Sequence, residues 1–347
     1  MSTQSAQTPA GVSTKGLVVA LPPHERSDVS VARIMWSVVV ALIPTTLAGV
    51  WFYGIRALVV TLTAVAASVA VEHFVVRYMF RKETTSVTDG SAVVTGMLLA
   101  FNVPAGIPLW QVIVGAIVAI GVAKMAFGGI GNNPFNPALV GRAFMLVSFP
   151  VDMTTWPEPG SQGFLAWNLD AATTATPLGL VKGAGTGGLG SIADQLPSYG
   201  ALFLGDIGGC IGEASALAVI IGGVFLVWKG FIPWMVPLVY LAGLAIVTGI
   251  AWAIDPGTYI DPLYHILAGG AMLGAWFMVT DMTTSPMSIP GRIVFAGIAG
   301  ILAGVIRLFG GFPEGVSYSI LIMNAFVPVI DRHIKPRKFG YAKGGAK

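Results

Sequence analysis

The 18-residue stretch FGGIGNNPFNPALVGRAF, from Phe127 to Phe144, has a related copy 182 positions later. The copy, from Phe309 to Phe326, is FGGFPEGVSYSILIMNAF. Without a gap, six of the eighteen positions are identical: Phe-Gly-Gly, one Leu and the final Ala-Phe. Chance can produce such a match in a chain rich in Gly and Ala, but this one coincides with the order of apolar segments described below. The two stretches therefore predict two related halves.

The composition indicates a membrane protein. Hydrophobic residues make up 55% of the chain, charged residues only 10%, and the mean hydropathy is +0.79, unlike a soluble domain. Apolar segments reach the roughly 20 residues that a helix needs to cross a bilayer. Small-residue patterns such as Gly270-xxx-Gly274 and Gly300-xxx-Gly304 suit close helix packing. We predict an all-α integral membrane protein, surrounded by the lipid bilayer.

Apolar runs between charges and Pro or Gly breaks predict ten transmembrane helices. They lie at 31–53, 56–78, 92–105, 109–126, 136–150, 206–228, 233–254, 263–280, 291–309 and 316–331. The third and fifth are short for a full crossing, so they are broken, tilted or partly re-entrant. The resulting organisation is an N-terminal segment (1–30), a first membrane repeat (31–150), an outer loop (151–205), a second membrane repeat (206–331) and a basic tail (332–347).

Charge predicts the orientation. The tail after Asp331 has six basic residues and no acidic one, and three more basic residues follow the second span, so both regions should be cytoplasmic. With ten spans both termini lie inside, and the 151–205 loop, with four acidic residues against Lys182, lies outside. Arg307, near the predicted outer surface, fits poorly. Five spans per half make the two repeats inverted, with the active region near their interface.

Two further features concern how the chain is inserted into the membrane and which electron carrier it can hold. The first 30 residues are polar and lack the apolar run of a cleaved signal peptide, so the first helix should direct insertion. A single cysteine, Cys210, cannot by itself form an internal disulfide, a tetrathiolate zinc site or an iron–sulfur cluster. An electron carrier held by this chain alone should therefore be organic.

The outer loop contains the hydroxyl-rich run DAATTATPL, from Asp170 to Leu178. A Thr hydroxyl can accept a flavin nucleotide as a phosphodiester if an enzyme delivers it, and small neighbours leave room for that enzyme. The alternative is an ordinary polar loop, in which Thr, Ala and Pro are common.

The pattern Asp170-x-x-Thr173-x-Ala175-Thr176, between two five-span halves, resembles the flavinylation motif of the NqrB/RnfD family. These are membrane subunits of the sodium-pumping NADH:quinone reductase and of the Rnf complex. In that family the last Thr carries FMN through a phosphoester bond installed by a flavin transferase. The resemblance implies Thr176 as the acceptor; Thr174 replaces the usual Gly.

The resemblance covers nearly the whole chain and extends to three further stretches, TDGSAVVTG from Thr88, FGGIGNNPFNPA from Phe127 and GCIGEASALA from Gly209. The length favours the Rnf branch, because the quinone-reductase subunit has a longer N-terminal extension. The implied function is an FMN-carrying subunit of a translocase that transfers electrons between ferredoxin and NAD, coupled to Na⁺ or H⁺ transport. The implied partners are the other Rnf subunits, including a second flavin subunit and iron–sulfur subunits, in a prokaryotic cell (inner) membrane.

The segment 128–138 is a second candidate site. Pro134 and Pro137 break the helix, while Asn133 and Asn136 offer amides to freed backbone groups or to a ligand at membrane depth. The alternative is a helix-terminating cytoplasmic turn. The family resemblance favours a cofactor or ion site on the inner side, with non-covalent riboflavin as a candidate.

Charged residues in or near the spans receive separate predictions. Glu213, in the sixth span, is a candidate for an ion path, or else a carboxylate at the outer interface. Asp206, Glu72 and Arg142 lie near span ends, where a snorkelling or surface role is expected. His73 and His265 lack metal-ligand spacing and receive no function, and no metal site is predicted.

No nucleotide-binding motif is evident, because the Gly-rich run 183–190 has no following Lys-Ser/Thr and opens no helix. The chain should therefore not bind NAD itself, should not complete the reaction alone and should have no nucleic-acid partner. Two other functions compete with the Rnf assignment. One is a quinone-reductase subunit with a quinol site; the other is a channel or secondary transporter for a small polar solute, which would carry no covalent cofactor.

Overall fold

The computed structural model describes residues 29–81, 86–160, 174–184, 189–311 and 315–335. Within these ranges the fold is helical throughout and contains no β-strand. The predicted first membrane repeat contains α1 Val31–Tyr53, α2 Ile55–Phe74, α3 Ser91–Phe101, α4 Leu109–Ile117 and α5 Pro137–Ser148. The region of the predicted outer loop contains α6 Pro150–Met153, α7 Pro177–Ala184 and α8 Tyr199–Leu204. The predicted second membrane repeat contains α9 Ala216–Trp228, α10 Met235–Ile254, α11 Pro262–Leu267, α12 Ala271–Leu273, α13 Ile289–Phe309 and α14 Val316–His333.

Among the described residues, five helical segments are long and apolar enough to cross a membrane: 31–53, 55–79, 109–127, 235–254 and 289–309. Two of them include π-helical turns, Val75–Met79 after α2 and Val118–Val122 after α4. Shorter apolar helices are α3, α5 and α9. The predicted all-α, multi-pass fold is confirmed, while the inverted relation of the two repeats stays a prediction.

The predicted sixth and eighth spans are not continuous helices. The sixth begins with backbone at positive φ, at Gly205 (121°) and Asp206 (80°), continues through a short 3-10 turn at Ile211–Glu213 and becomes α-helical only at Ala216. The eighth is interrupted between α11 and α12, where Gly269 has a φ of 65°. Such breaks are tolerated at membrane depth only where protein or water covers the backbone. The predicted short third span is confirmed as the 11-residue α3.

Side-chain caps define where α1, α5, α9 and α13 begin. The hydroxyl or amide oxygen of the residue before each helix accepts a backbone N–H of its first turn, which supplies one of the bonds that a helix start lacks. These capping residues are Ser30 before α1, Asn136 before α5, Ser215 before α9 and Ser288 before α13. Each helix therefore starts at a point that its sequence specifies.

Glycines let the helices approach closely. A Cβ on Gly300 of α13 would lie 2.1 Å from the backbone oxygen of Tyr240 in α10. A Cβ on Gly222 of α9 would lie 2.0 Å from the backbone oxygen of Ala41 in α1, a contact between the two halves. The close α10–α13 contact agrees with the predicted Gly300-xxx-Gly304 pattern, whereas Gly222 lies outside the two predicted patterns.

Gly300→Ala should destabilise the α10–α13 pair, because its new methyl group would clash with backbone rather than with a movable side chain. The expected cost is about 1–3 kcal/mol, the usual range for overpacking. Gly297→Ala, one turn earlier, is the matched control, since its Cβ would lie 3.4 Å from a Val239 methyl group. Thermal unfolding in detergent should show a lower midpoint for Gly300→Ala alone; equal midpoints for the two variants would contradict this packing.

The prediction of a surface role was wrong for Glu72 and Arg142. Glu72 is 1% exposed and accepts from the Lys124 ammonium, with Nζ 2.6 Å from Oε2. Burial is possible because the charge has a paired partner. Asp206 is exposed, as predicted.

Arg142 of α5 connects the two halves. It is 4% exposed, and its Nη1 donates to Asn102 Oδ1 at 3.1 Å and to Ser317 Oγ at 2.7 Å. Asn102 caps the end of α3, whereas Ser317 belongs to α14. Arg142 therefore lies at the interface of the repeats rather than at a lipid surface.

Arg307 also has a structural explanation. Its guanidinium is buried and donates to the backbone oxygens of His265 and Ala268, at the end of α11. Backbone carbonyls at a helix end lack intrahelical donors and carry partial negative charge. Arg307 thus donates hydrogen bonds to the carbonyl groups that are left free at the break in the eighth span. This role explains why a basic residue lies near the predicted outer surface, against the charge pattern that sets orientation.

Candidate functional site

The predicted flavin acceptor, Thr176, lies at the start of α7. Its Oγ1 accepts a hydrogen bond from Gly179 N at 3.1 Å, which caps the first turn, and the residue is 7% exposed. A Cβ on Gly179 would lie 2.9 Å from this oxygen, so a small residue is needed there. The Thr176 oxygen therefore lies beside backbone N–H groups at the positive end of a helix.

Hydrophobic and polar contacts hold α7 against the second repeat. Leu178 is buried in a cluster with Leu202, Ile207, Ile260, Tyr264 and Ala268. Lys182, near the other end of α7, donates to the backbone oxygen of Gly310 beyond α13. The predicted acceptor, Thr176, therefore immediately precedes a helix that is held in place by these contacts.

Thr174 occupies a tight position near the predicted acceptor, Thr176. Its backbone N donates to Trp156 O at 2.9 Å, and a Cβ on Gly208 would lie 2.2 Å from its Oγ1. That Oγ1 is buried and makes no hydrogen bond within the described part of the chain. The other predicted motif residues, Asp170 and Thr173, lie outside the described residues.

Glu213 lies between the breaks in the sixth and eighth spans. A Cβ on Gly209 would lie 2.9 Å from its Oε2, and a Cβ on Gly270 would lie 3.1 Å from its Oε1. The half-buried carboxylate thus occupies space that the two glycines leave open. Its role in an ion path stays a prediction.

A second site is a cavity with about 750 Å³ of empty space, part of it open to solvent. Its apolar lining residues include Met35, Val38, Leu98, Ile232 and Phe277. Hydroxyl, amide and charged groups also line it: Ser91, Thr95, Lys124, Asn133, Asn136, Thr280, Asp281 and Thr283. Both predicted repeats therefore contribute to one cavity whose lining combines apolar and polar side chains.

The structure brings Asn133 and Asn136 together in this cavity. Asn136, 2% exposed, caps α5 through bonds from Ala138 N and Leu139 N at 3.1 and 3.4 Å. Asn133, 4% exposed, donates to Phe135 O at 3.2 Å and to Thr283 Oγ1 at 3.4 Å. Asn136 therefore begins a helix, and both amides belong to the wall of the cavity rather than to an exposed turn.

Charged groups of the cavity were missed by the sequence reasoning. Asp281 lies in the turn after the eighth span, where burial raises its pKa against the lowering effect of hydrogen bonds from Thr283 and Thr284. Lys124 lines the same cavity and also lowers the pKa of Asp281 by its charge. Lys124 lies near the end of the predicted fourth span and Glu72 near the end of the second, and these opposite charges close to span ends were the available signal.

Comparison with known proteins agrees with the motifs. Residues 18–340 match the NQR2, RnfD, RnfE family. The chain belongs to this family. Its relatives include the D subunit of a proton-translocating ferredoxin:NAD(+) oxidoreductase complex of Clostridium ljungdahlii, 46% identical over 93% of this chain and 96% of the relative. The D subunit of the corresponding Na(+)-translocating complex of Acetobacterium woodii is 42% identical over 94% and 96%.

The family match extends to more distant members. The D subunit of an ion-translocating oxidoreductase complex of Halorhodospira halophila is 38% identical over 93% of this chain and 96% of the relative. Because these relatives are covered almost end to end, the similarity includes both membrane repeats and the outer loop. The Rnf branch predicted from the sequence is confirmed.

Proposed function

We propose that this protein is the flavin-carrying membrane subunit of a complex that transfers electrons between ferredoxin and NAD and couples the transfer to Na⁺ or H⁺ transport. The near-complete similarity to the D subunits of two such complexes supports the overall role. The observation that carries the flavin assignment is Thr176 Oγ1 at the first turn of α7. The complex would reside in a prokaryotic cell membrane, with both termini cytoplasmic.

A phosphoester at Thr176 fits its surroundings. Backbone N–H groups and the dipole at a helix N-terminus favour a negatively charged phosphate. Gly179 keeps side-chain atoms away from the hydroxyl oxygen, and the contacts of α7 fix its position. Covalent FMN at this residue, installed by a flavin transferase with Asp170 and Thr173 in the same motif, is therefore compatible with the local chemistry.

The cavity that contains Asn133 and Asn136 in its wall suits a second, non-covalent flavin such as riboflavin. A flavin ring has an apolar benzenoid end and a polar pyrimidine end, and the cavity lining likewise combines apolar and polar side chains. Asn133, Asn136 and Thr283 would provide the polar contacts that fix orientation.

When bound, a flavin supplies the one-electron and two-electron chemistry that no amino-acid side chain offers. The chain would hold the cofactors, shield them from water and fix their distance. Other subunits, including a second flavin subunit and iron–sulfur subunits, would supply and receive the electrons. Glu213, between two broken spans, would provide a carboxylate for the transported cation.

The flavin assignment is tested by producing the chain in two otherwise identical hosts, one with an active flavin transferase and one without. After acid denaturation, covalent flavin should stay with the precipitated protein only in the first host. A chain that carries no covalent flavin, while that transferase modifies another substrate in the same cells, would refute the assignment and direct attention to solute-flux assays.

Asn133→Leu should weaken retention of the non-covalent flavin about tenfold or more, because one lost hydrogen-bonding group at a buried polar site costs about 1–3 kcal/mol. Asn132→Leu is the matched control, since Asn132 is the exposed neighbour. Acid-released flavin would be quantified by chromatography for each purified variant. Equal riboflavin content in both variants would contradict the placement in this cavity.

A further inference from the structure

The wall of the cavity that contains Asn133 and Asn136 also includes a buried, positively charged side chain. Lys124 is 3% exposed and lines the cavity, and its Nζ lies 2.6 Å from Glu72 Oε2 and 2.6 Å from Ser91 Oγ. Two short, charge-assisted hydrogen bonds therefore fix the ammonium in one position. Ser91 Oγ is in turn 2.5 Å from Asp89 Oδ1, which orients the hydroxyl.

The two members of the ion pair are placed unequally with respect to the cavity. Lys124 is part of the cavity wall, whereas Glu72, 1% exposed, belongs to α2 and is not among the lining residues. A molecule in the cavity would therefore be nearer to the positive charge than to its counter-charge. Both charged side chains are buried from solvent, so the fields of the two charges are only partly screened.

Resting on the flavin proposed above for this cavity, we propose that the positive charge of Lys124 raises the reduction potential of that flavin. The negative charge of Glu72 offsets part of this rise. A neutral flavin that accepts one electron without a proton gains one negative charge. A fixed ammonium on the cavity wall stabilises that charge and raises the potential. Glu72 lies behind the ammonium and offsets part of its effect.

This proposal predicts shifts of opposite sign for the two members of one ion pair. Lys124→Met removes the positive charge and should lower the potential of the bound flavin. Glu72→Gln keeps a hydrogen-bond acceptor for the ammonium but removes the negative charge, so it should raise the potential. A merely structural pair would give loss of flavin or a shift in the same direction in both variants.

The test uses the purified full-length chain carrying Thr176→Ala, so that riboflavin is the flavin under observation. A spectroelectrochemical titration measures its potential in this parent and in the added variants Lys124→Met, Glu72→Gln and Lys124→Arg. Lys124→Arg retains the positive charge, so its flavin potential should be the closest to that of the parent. If Lys124→Met does not fold, the double variant Lys124→Met with Glu72→Gln removes both charges and should give a potential below that of Glu72→Gln alone.

Opposite shifts in the two single variants, or the stated order between the double variant and Glu72→Gln, would support the proposal. The proposal would be overturned if both single variants retain riboflavin but leave its potential unchanged or shift it in the same direction. The assignment of the flavin to this cavity would then still stand. A parent chain that retains no added riboflavin would instead overturn the cavity assignment and, with it, this proposal.

Discussion

Thr176→Ala should abolish both the covalent flavin of this chain and the ferredoxin-dependent NAD⁺ reduction of the assembled complex. The variant has no hydroxyl for the phosphoester, so the loss should be complete rather than partial. Flavin fluorescence of this chain in a denaturing gel measures the first effect, and spectroscopic assay of membranes carrying the whole complex measures the second.

The same substitution removes the cap of α7, which costs about 1 kcal/mol at typical helix starts. Thr176→Asn separates the two effects, because its side chain caps a helix but cannot form the phosphoester. Thr176→Asn should lose the flavin as fully as Thr176→Ala, whereas Thr176→Ser and Thr174→Ala should retain it. Flavin retained by Thr176→Asn would show that another residue is the acceptor.

Glu72→Leu should cause the largest loss of stability among single substitutions of charged residues in the membrane. It leaves the Lys124 ammonium, 3% exposed, without its carboxylate partner. Removing one member of a buried ion pair typically costs about 3–5 kcal/mol, because the remaining charge is buried and uncompensated. The thermal unfolding midpoint of the detergent-solubilised chain measures the effect.

The double variant Glu72→Leu with Lys124→Met is the control for this prediction. It removes both charges and fills the space with apolar side chains of similar size. Such replacements are often neutral or stabilising, so much of the lost stability should return. A double variant as unstable as the sum of the single ones would mean that the two residues act independently.

The elements of the fold could be predicted from the sequence because apolar length and charge boundaries set membrane helices directly. The long helices at 31–53, 235–254 and 289–309 agree closely with the predicted limits. The breaks were harder to place. Apolarity is continuous through 263–280, whereas the helix is interrupted there because Gly269 adopts positive φ and Arg307, far away in sequence, satisfies the freed carbonyls.

The candidate sites could be predicted only in part. Asn133 and Asn136 were found because polar residues beside two prolines are conspicuous in an apolar chain. Lys124, Asp281 and Thr283 were missed because each looks like an ordinary residue at a span end, and only packing of the two repeats brings them into one cavity. The surface role predicted for Arg142 was wrong for the same reason: Ser317, its partner in α14, is 175 positions away.

Peptide mass spectrometry of the native chain tests the central claim most directly. Protein isolated from a host with an active flavin transferase would be digested, and fragment ions would locate any added mass within the segment that contains Thr173, Thr174 and Thr176. We expect an FMN-sized addition on Thr176 alone. An addition on Thr173 or Thr174, or an unmodified segment from cells in which the transferase modifies another protein, would contradict the flavin assignment.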